Sequence, residues 1–130
     1  MKDKVIDILS KIGFKYKTVK DGVYIFQYRN LNVVYRVYED DPRFLRMGMP
    51  IDRNRRISNM YEIANEMNLR LKYIKTCVYA DNIWCFFERE IQDDDDMEQL
   101  INKVVIRMQE ALTFYLDLIN CSIKSAGEAS

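Results

Sequence analysis

From Met97 to Ile119, the apolar residues Met97, Leu100, Ile101, Val104, Met108, Ala111, Leu112, Tyr115, Leu118 and Ile119 recur at helical spacing for about seven turns, a helix about 40 Å long. Glu98, Lys103, Arg107, Glu110 and Asp117 interrupt that run, so it is a packing element and no membrane span. Its apolar surface is wider than one stripe. Val104-Val105-Ile106 points in three directions and Phe114 in a fourth, which predicts that something beyond the domain's own sheet covers part of it.

Four consecutive aspartates, Asp93 to Asp96, stand directly before this helix. Carboxylates there accept hydrogen bonds from the free amides of the first turn and sit at the positive end of the helix dipole. A calcium loop would spread its ligands over about twelve residues around a glycine. The entrance reading accounts for every residue of the run, and no metal site is expected.

The remaining elements read in order. Asp3 caps a first helix from about Lys4 to Ile12, with Val5, Ile8, Leu9 and Ile12 on its apolar face and Gly13 as its stop. Three or four antiparallel strands then occupy residues 14 to 50, with turns at Lys20-Asp21-Gly22, Arg29-Asn30 and Asp40-Asp41-Pro42. Tyr24, Phe26 and Tyr28 alternate with Val23, Ile25 and Gln27, and Val33, Tyr35 and Val37 alternate with Val34, Arg36 and Tyr38. One face is thus richer in tyrosine and charge, and a half-solvated sheet is implied.

Pro50 closes this region. A second helix follows, capped by Asp52 or Asn54, with Ile57, Met60, Tyr61, Ala64 and Met67 on one stripe. Residues 69 to 91 predict a hairpin around a two-residue turn at Asp81-Asn82. That turn sets Tyr79 opposite Trp84, Cys77 opposite Phe86 and Lys75 opposite Glu88 on one face, with Val78 opposite Cys85 and Thr76 opposite Phe87 on the other. Cys77 and Cys85 point to opposite faces and do not bridge. The face with Ile74, Val78, Ile83, Cys85 and Phe87 is the more continuously apolar and is expected to be the core side.

Composition narrows the chemistry. The chain of 130 residues contains no histidine, which removes Ser-His-Asp and Cys-His catalysis and the common His-liganded metal sites. Three cysteines without CxxC spacing indicate neither a disulfide framework nor zinc. Twenty basic and twenty acidic residues cancel, so the broad positive field of a nucleic-acid binder is missing. No signal-peptide pattern appears at Met1-Lys2-Asp3-Lys4, and a cytoplasmic protein is expected.

The segments "GFKYKTVKDGVYIFQYRNLNVVYRVYEDDPRFLRMGMP", "YEIANEMNLRLKYIKTCVYADNIWCFFEREI" and "DDDDMEQLINKVVIRMQEALTFYLDLI", in that order, resemble the YbjN-type domains of bacterial sensory transduction regulators, which share the fold of type III secretion chaperones. The resemblance covers about residues 3 to 120. It rests on a hydrophobic and turn pattern with an acidic entrance to the last helix. Trp84, Phe86 and the tyrosine-rich strands make this chain more aromatic than that pattern. The resemblance implies a small adaptor or chaperone-like protein, often dimeric, that binds polypeptide without a cofactor.

The expectation is therefore an α+β fold: helix, antiparallel strands, helix, strand hairpin, long C-terminal helix, as one domain over residues 1–123 with a disordered tail at 124–130. Its function is to bind a polypeptide partner without catalysis, and it is expected to form a homodimer. Tyr79, Trp84 and Phe86 on the hairpin, with Met60 and Tyr61 on the second helix, are the candidate protein-binding residues, since aromatic anchors dominate interfaces. No catalytic, cofactor or metal residues are assigned. Arg53, Arg55 and Arg56 oppose the dipole at a helix entrance and carry the alternative, a regulator binding nucleic acid or phosphate. Met47, Met49, Met60 and Met67 either fill the core or line an adaptable surface.

Overall fold

The computed structural model describes residues 2–29, 31–51 and 59–129, with side chains placed for residues 4–29, 31–51 and 59–120. It is an α+β fold in the expected order: α1 (Lys2–Lys11), β1 (Tyr16–Lys20), β2 (Val23–Tyr28), β3 (Leu31–Arg36), β4 (Phe44–Pro50), α2 (Met60–Arg70), β5 (Ile74–Tyr79), β6 (Asn82–Glu90) and α3 (Met97–Ala129). Arg53, Arg55, Arg56, Ile57 and the cap candidates Asp52 and Asn54 lie outside the described residues. No helix among the described residues is long and apolar enough to cross a membrane.

The strands form one six-stranded sheet in the order β1-β2-β3-β4-β6-β5, every neighbouring pair antiparallel. Because β6 is antiparallel to both β4 and β5, those two run parallel, and the chain uses α2 to cross from one to the other. Both ends of the sheet are blunted. β1 is exposed along its whole length and carries Lys17 and Lys20, charges that discourage pairing with another chain. At β5, Asn68 of α2 acts as a short strand: its Oδ1 accepts from the Thr76 N–H (2.7 Å) and its Nδ2 donates to the Thr76 carbonyl (3.1 Å). The Thr76 hydroxyl donates to the Ala64 carbonyl (2.6 Å), tying the edge to the helix a second time.

One face of the sheet is covered. Tyr24, Phe26, Val33, Tyr35, Leu45, Met47, Met49, Ile83, Cys85 and Phe87 are buried there with Val5 and Leu9 of α1, Ile63, Ala64 and Met67 of α2, and Leu100, Ile101, Val104, Met108 and Tyr115 of α3 in one core. Met47, Met49 and Met67 are thus core filler. Tyrosine and charge do not share a face as the alternation suggested. Tyr24 and Tyr35 are 7% and 3% exposed, stacked with centroids 6.1 Å apart on the covered side, while Gln27 and Arg36 face away. Aromatic bodies gain more by burial than their hydroxyls lose, provided the hydroxyl finds a partner.

The helix termini follow local chemistry. Gly13 takes a left-handed φ of +87°, the Gly13 N–H donates to the Ser10 carbonyl and the Phe14 N–H to the Leu9 carbonyl, the double closure of a Schellman motif. Asp3 lies inside α1 rather than capping it. In α2 the buried stripe is Ile63, Ala64 and Met67; Tyr61, expected on it, is 77% exposed, because one residue past Met60 is a 100° turn away from the core direction.

Three of the four aspartates have separate partners. Asp96 alone caps α3, accepting from the Gln99 N–H (3.2 Å). Asp95 accepts from the Gln92 N–H (2.6 Å) and, with both oxygens, from Arg89 Nη2 (2.7 and 2.6 Å). Asp93 accepts from Arg43 Nη2 (2.6 Å), and Arg43 Nη1 also donates to the Ile91 carbonyl (3.2 Å). The run thus pins the entrance of β4 and the end of β6 to the helix start. Beyond it, α3 buries Val104 and Val105 together because it meets α1, α2, β5 and β6; Ile106 remains 53% exposed. The α3 backbone stays helical through Ala129, past residue 123, where the sequence reading ends the domain. That tail lacks an apolar anchor, yet it contains no proline to stop a helix already propagating.

Candidate functional site

The sheet's second face has no covering element among the described residues, and its side chains are not those of an ordinary solvated face. Strand register brings Val23, Ile25, Val34, Gly48, Pro50, Trp84, Phe86, Cys77 and Tyr79 to it, running from β2 across to β5. Contiguous apolar surface of this kind marks a binding site more often than isolated exposed residues do.

The hairpin turn sits at Ala80-Asp81, one residue earlier than expected. Ala80 (φ 51°) and Asp81 (φ 58°) both adopt the left-handed region that the mirrored two-residue turn requires, and Asn82 opens β6. Pairing slides by two residues, to Tyr79 with Asn82, Cys77 with Trp84 and Thr76 with Cys85. A two-residue slide preserves the face of every side chain. Tyr79, Trp84 and Phe86 therefore share the open face, and Ile74, Ile83, Cys85 and Phe87 are buried on the other. Cys77 and Cys85 are free and on opposite faces. Burial, with a smaller contribution from Cys77, pushes the Cys85 thiol up to about 12, so it is a core group and no nucleophile.

Gly48 organises the centre. It pairs with Phe86, and a Cβ there would lie 2.5 and 2.6 Å from the Phe86 ring carbons Cδ1 and Cε1, so the ring rests on bare backbone. Trp84 stacks on Phe86 with centroids 5.9 Å apart and planes 10° from parallel. The Arg46 guanidinium lies 4.0 Å from the Phe86 centroid and its Nη1 donates to the Tyr38 hydroxyl (2.9 Å). Glu88 sits beside it, 2.7 Å from Lys75 Nζ and 3.9 Å from Arg46 Nε. The Lys75–Glu88 pairing expected from the sequence thus exists, as a diagonal contact.

Two depressions share the walls Trp84 and Val34. The larger, about 1040 Å³, runs past Ile25, Gln27, Asn32 and Pro50 to Phe14, Lys15, Tyr16 and Lys17. The smaller, about 350 Å³, is floored by Gly48, Phe86 and Cys77 and rimmed by Arg36, Arg46, Tyr38 and Tyr79. Long helix α3 lies against the opposite side of the sheet and does not cover Trp84.

Of the five sequence-derived site residues, Tyr79, Trp84 and Phe86 are brought together here. Met60 is half-buried against the core, and Tyr61 projects from α2 in the helix layer, so neither joins them. The second helix and the aromatic hairpin face consequently cannot form one surface. Sequence reasoning missed Val34, Gly48, Pro50, Arg36 and Arg46. The alternation that placed Val34 and Arg36 on one face was visible, but which face the helices would leave bare was not. Among the described residues, no cluster of acidic and cysteine side chains is arranged to hold a metal ion. No protein-family model matches this chain, and no curated protein matches it.

Proposed function

We propose that this chain is a noncatalytic, chaperone-like adaptor that binds a partner polypeptide on the open face of its sheet, as the resemblance to YbjN-type domains implies. The observation that carries the reading is the stacked pair Trp84–Phe86 at the centre of an apolar face that no described element covers. Trp and Tyr anchor interfaces because they bring large area with few rotors to freeze, and the two depressions flanking Trp84 offer room for side chains on either side of it. Cofactors have no role in this reading, and the setting is the cytoplasm. A homodimer belongs to it as well, formed through apolar residues of the helix layer, where Tyr61, Leu69 and Tyr73 are exposed, leaving the sheet face for the partner.

Affinity capture from native lysate with wild type and Trp84→Ala side by side tests the reading. The variant should stay folded, because Trp84 lies outside the core, and should lose the captured polypeptides through a drop of about 2 kcal/mol or more in affinity. Equal capture by both proteins per folded molecule refutes the sheet face as the site. Sedimentation across micromolar concentrations tests the dimer, and a monomer throughout would remove it.

A further inference from the structure

Resting on that reading, we infer that the open face selects an acidic segment: one that sets carboxylates on Arg36 and the lysines of β1 while its apolar side chains lie against Trp84. The whole chain is neutral, yet its charge is not evenly shared. Register places Lys17, Lys20, Arg36, Arg46 and Lys75 on the open face against Glu88 and Glu90. Glu88 is already held by Lys75 and Arg46, so the acid nearest the centre offers nothing to a basic partner. Arg36 forms no ion pair among the described residues. It sits 5.4 Å over the Tyr38 ring and lines the same depression as Trp84, Phe86 and Arg46. A guanidinium laid against an aromatic ring keeps its edge donors free for a carboxylate, and the ring restricts its rotation beforehand.

The second cationic point is at the far end of the larger groove, where Lys15 and Lys17 line the wall. Lys17 pairs with Ile25, which pairs with Val34, two residues from Arg36. Two strand spacings and two residues of rise set Lys17 and Arg36 about 12 Å apart. Three to four residues of extended chain cover about that span. The occupant therefore carries two carboxylates at about that spacing, astride Ile25 and Val34, with large apolar residues beyond them on the side of Trp84.

Trp84 is the single tryptophan of the chain, so its emission reports occupancy of this face directly. Three tryptophan-free peptides of twelve residues serve as probes, identical in two phenylalanines and differing only in four positions filled by glutamate, lysine or serine. The glutamate peptide should shift Trp84 emission saturably and bind at least tenfold more tightly than the lysine peptide. Arg36→Gln, a change at an exposed side chain, should collapse that difference severalfold, as should raising the salt concentration. Equal binding of the glutamate and lysine peptides, or tighter binding of the lysine peptide, overturns the acidic preference and leaves the polypeptide-binding face standing. If no peptide moves the emission, or if emission changes with protein concentration alone because a second copy occupies the face, the acidic segment falls and the sheet-face reading falls with it.

Discussion

Replacing Gly48 with alanine probes the aromatic platform without touching the core. The new methyl would stand 2.5 and 2.6 Å from Phe86 Cδ1 and Cε1, inside contact distance, and the ring is the part free to move because it lies on the open face. Swinging it out forfeits the Trp84 stack, worth about 0.5–1.5 kcal/mol, and the Arg46 cation–π contact, worth about 0.5–1 kcal/mol at a partly exposed site. Against this, alanine in a strand gains about 0.5–1 kcal/mol over glycine through reduced backbone entropy. The expected net effect is a loss of about 0.5–1.5 kcal/mol in urea unfolding, accompanied by a changed Trp84 emission in the folded baseline. The loss should shrink in a Phe86→Ala background, where no ring remains to displace and the strand gain is set only against a tight 3.3 Å approach to the Cys85 carbonyl oxygen. A double-mutant cycle thus yields a coupling energy of about 1–2.5 kcal/mol between positions 48 and 86. If Gly48→Ala is neutral in both backgrounds with unchanged emission, Phe86 does not rest on Gly48 and the platform is misdescribed.

Asn68→Ala should cost about 1–3 kcal/mol by leaving the Thr76 N–H and carbonyl unpaired, with faster hydrogen exchange at Thr76 and concentration-dependent light scattering as the β5 edge opens. Asp81→Gly should stabilise the hairpin by about 0.5–1 kcal/mol, since glycine adopts φ near +58° without the side-chain penalty; a loss of stability in thermal melts would count against the mirrored turn. Iodoacetamide in native buffer should label Cys77 and spare Cys85, whose thiol is buried and pushed up to about 12, as read by peptide mass spectrometry, with Cys85 labelled only after denaturation. The Gln92 amide first, then Arg89, hold the Asp95 carboxyl below the ordinary range. Its contribution is therefore present above the unfolded carboxylate value of about 3.9 and lost as pH falls through the lower folded value. Asp95→Asn should flatten the acid limb of stability against pH, and an unchanged limb would remove Asp95 from the account.

Local periodicity and chain chemistry determined the elements themselves. Helical spacing in α1 and α3, the Gly13 stop and the parity of the β5–β6 strands were legible because each depends on residues within a few positions of one another. The hairpin faces survived even a misplaced turn, since the side-chain period of two tolerates a two-residue slide. Tertiary structure decided the rest. Both faces of β2 and β3 carry apolar side chains, Tyr24 and Phe26 on one and Val23 and Ile25 on the other, so alternation could not say which face the helices would take. The crossover through α2 and the docking of α1 and α3 settled it, leaving Val34, Trp84 and Phe86 uncovered. The same packing parted Met60 and Tyr61 from the hairpin aromatics, and turned Asp93 toward Arg43, 50 positions away in sequence, whereas Arg89, the partner of Asp95, stands only 6 positions away near the end of β6. A carboxylate next to a helix start satisfies the entrance rule from sequence alone, but only the fold brings the distant Arg43 close enough to compete for Asp93.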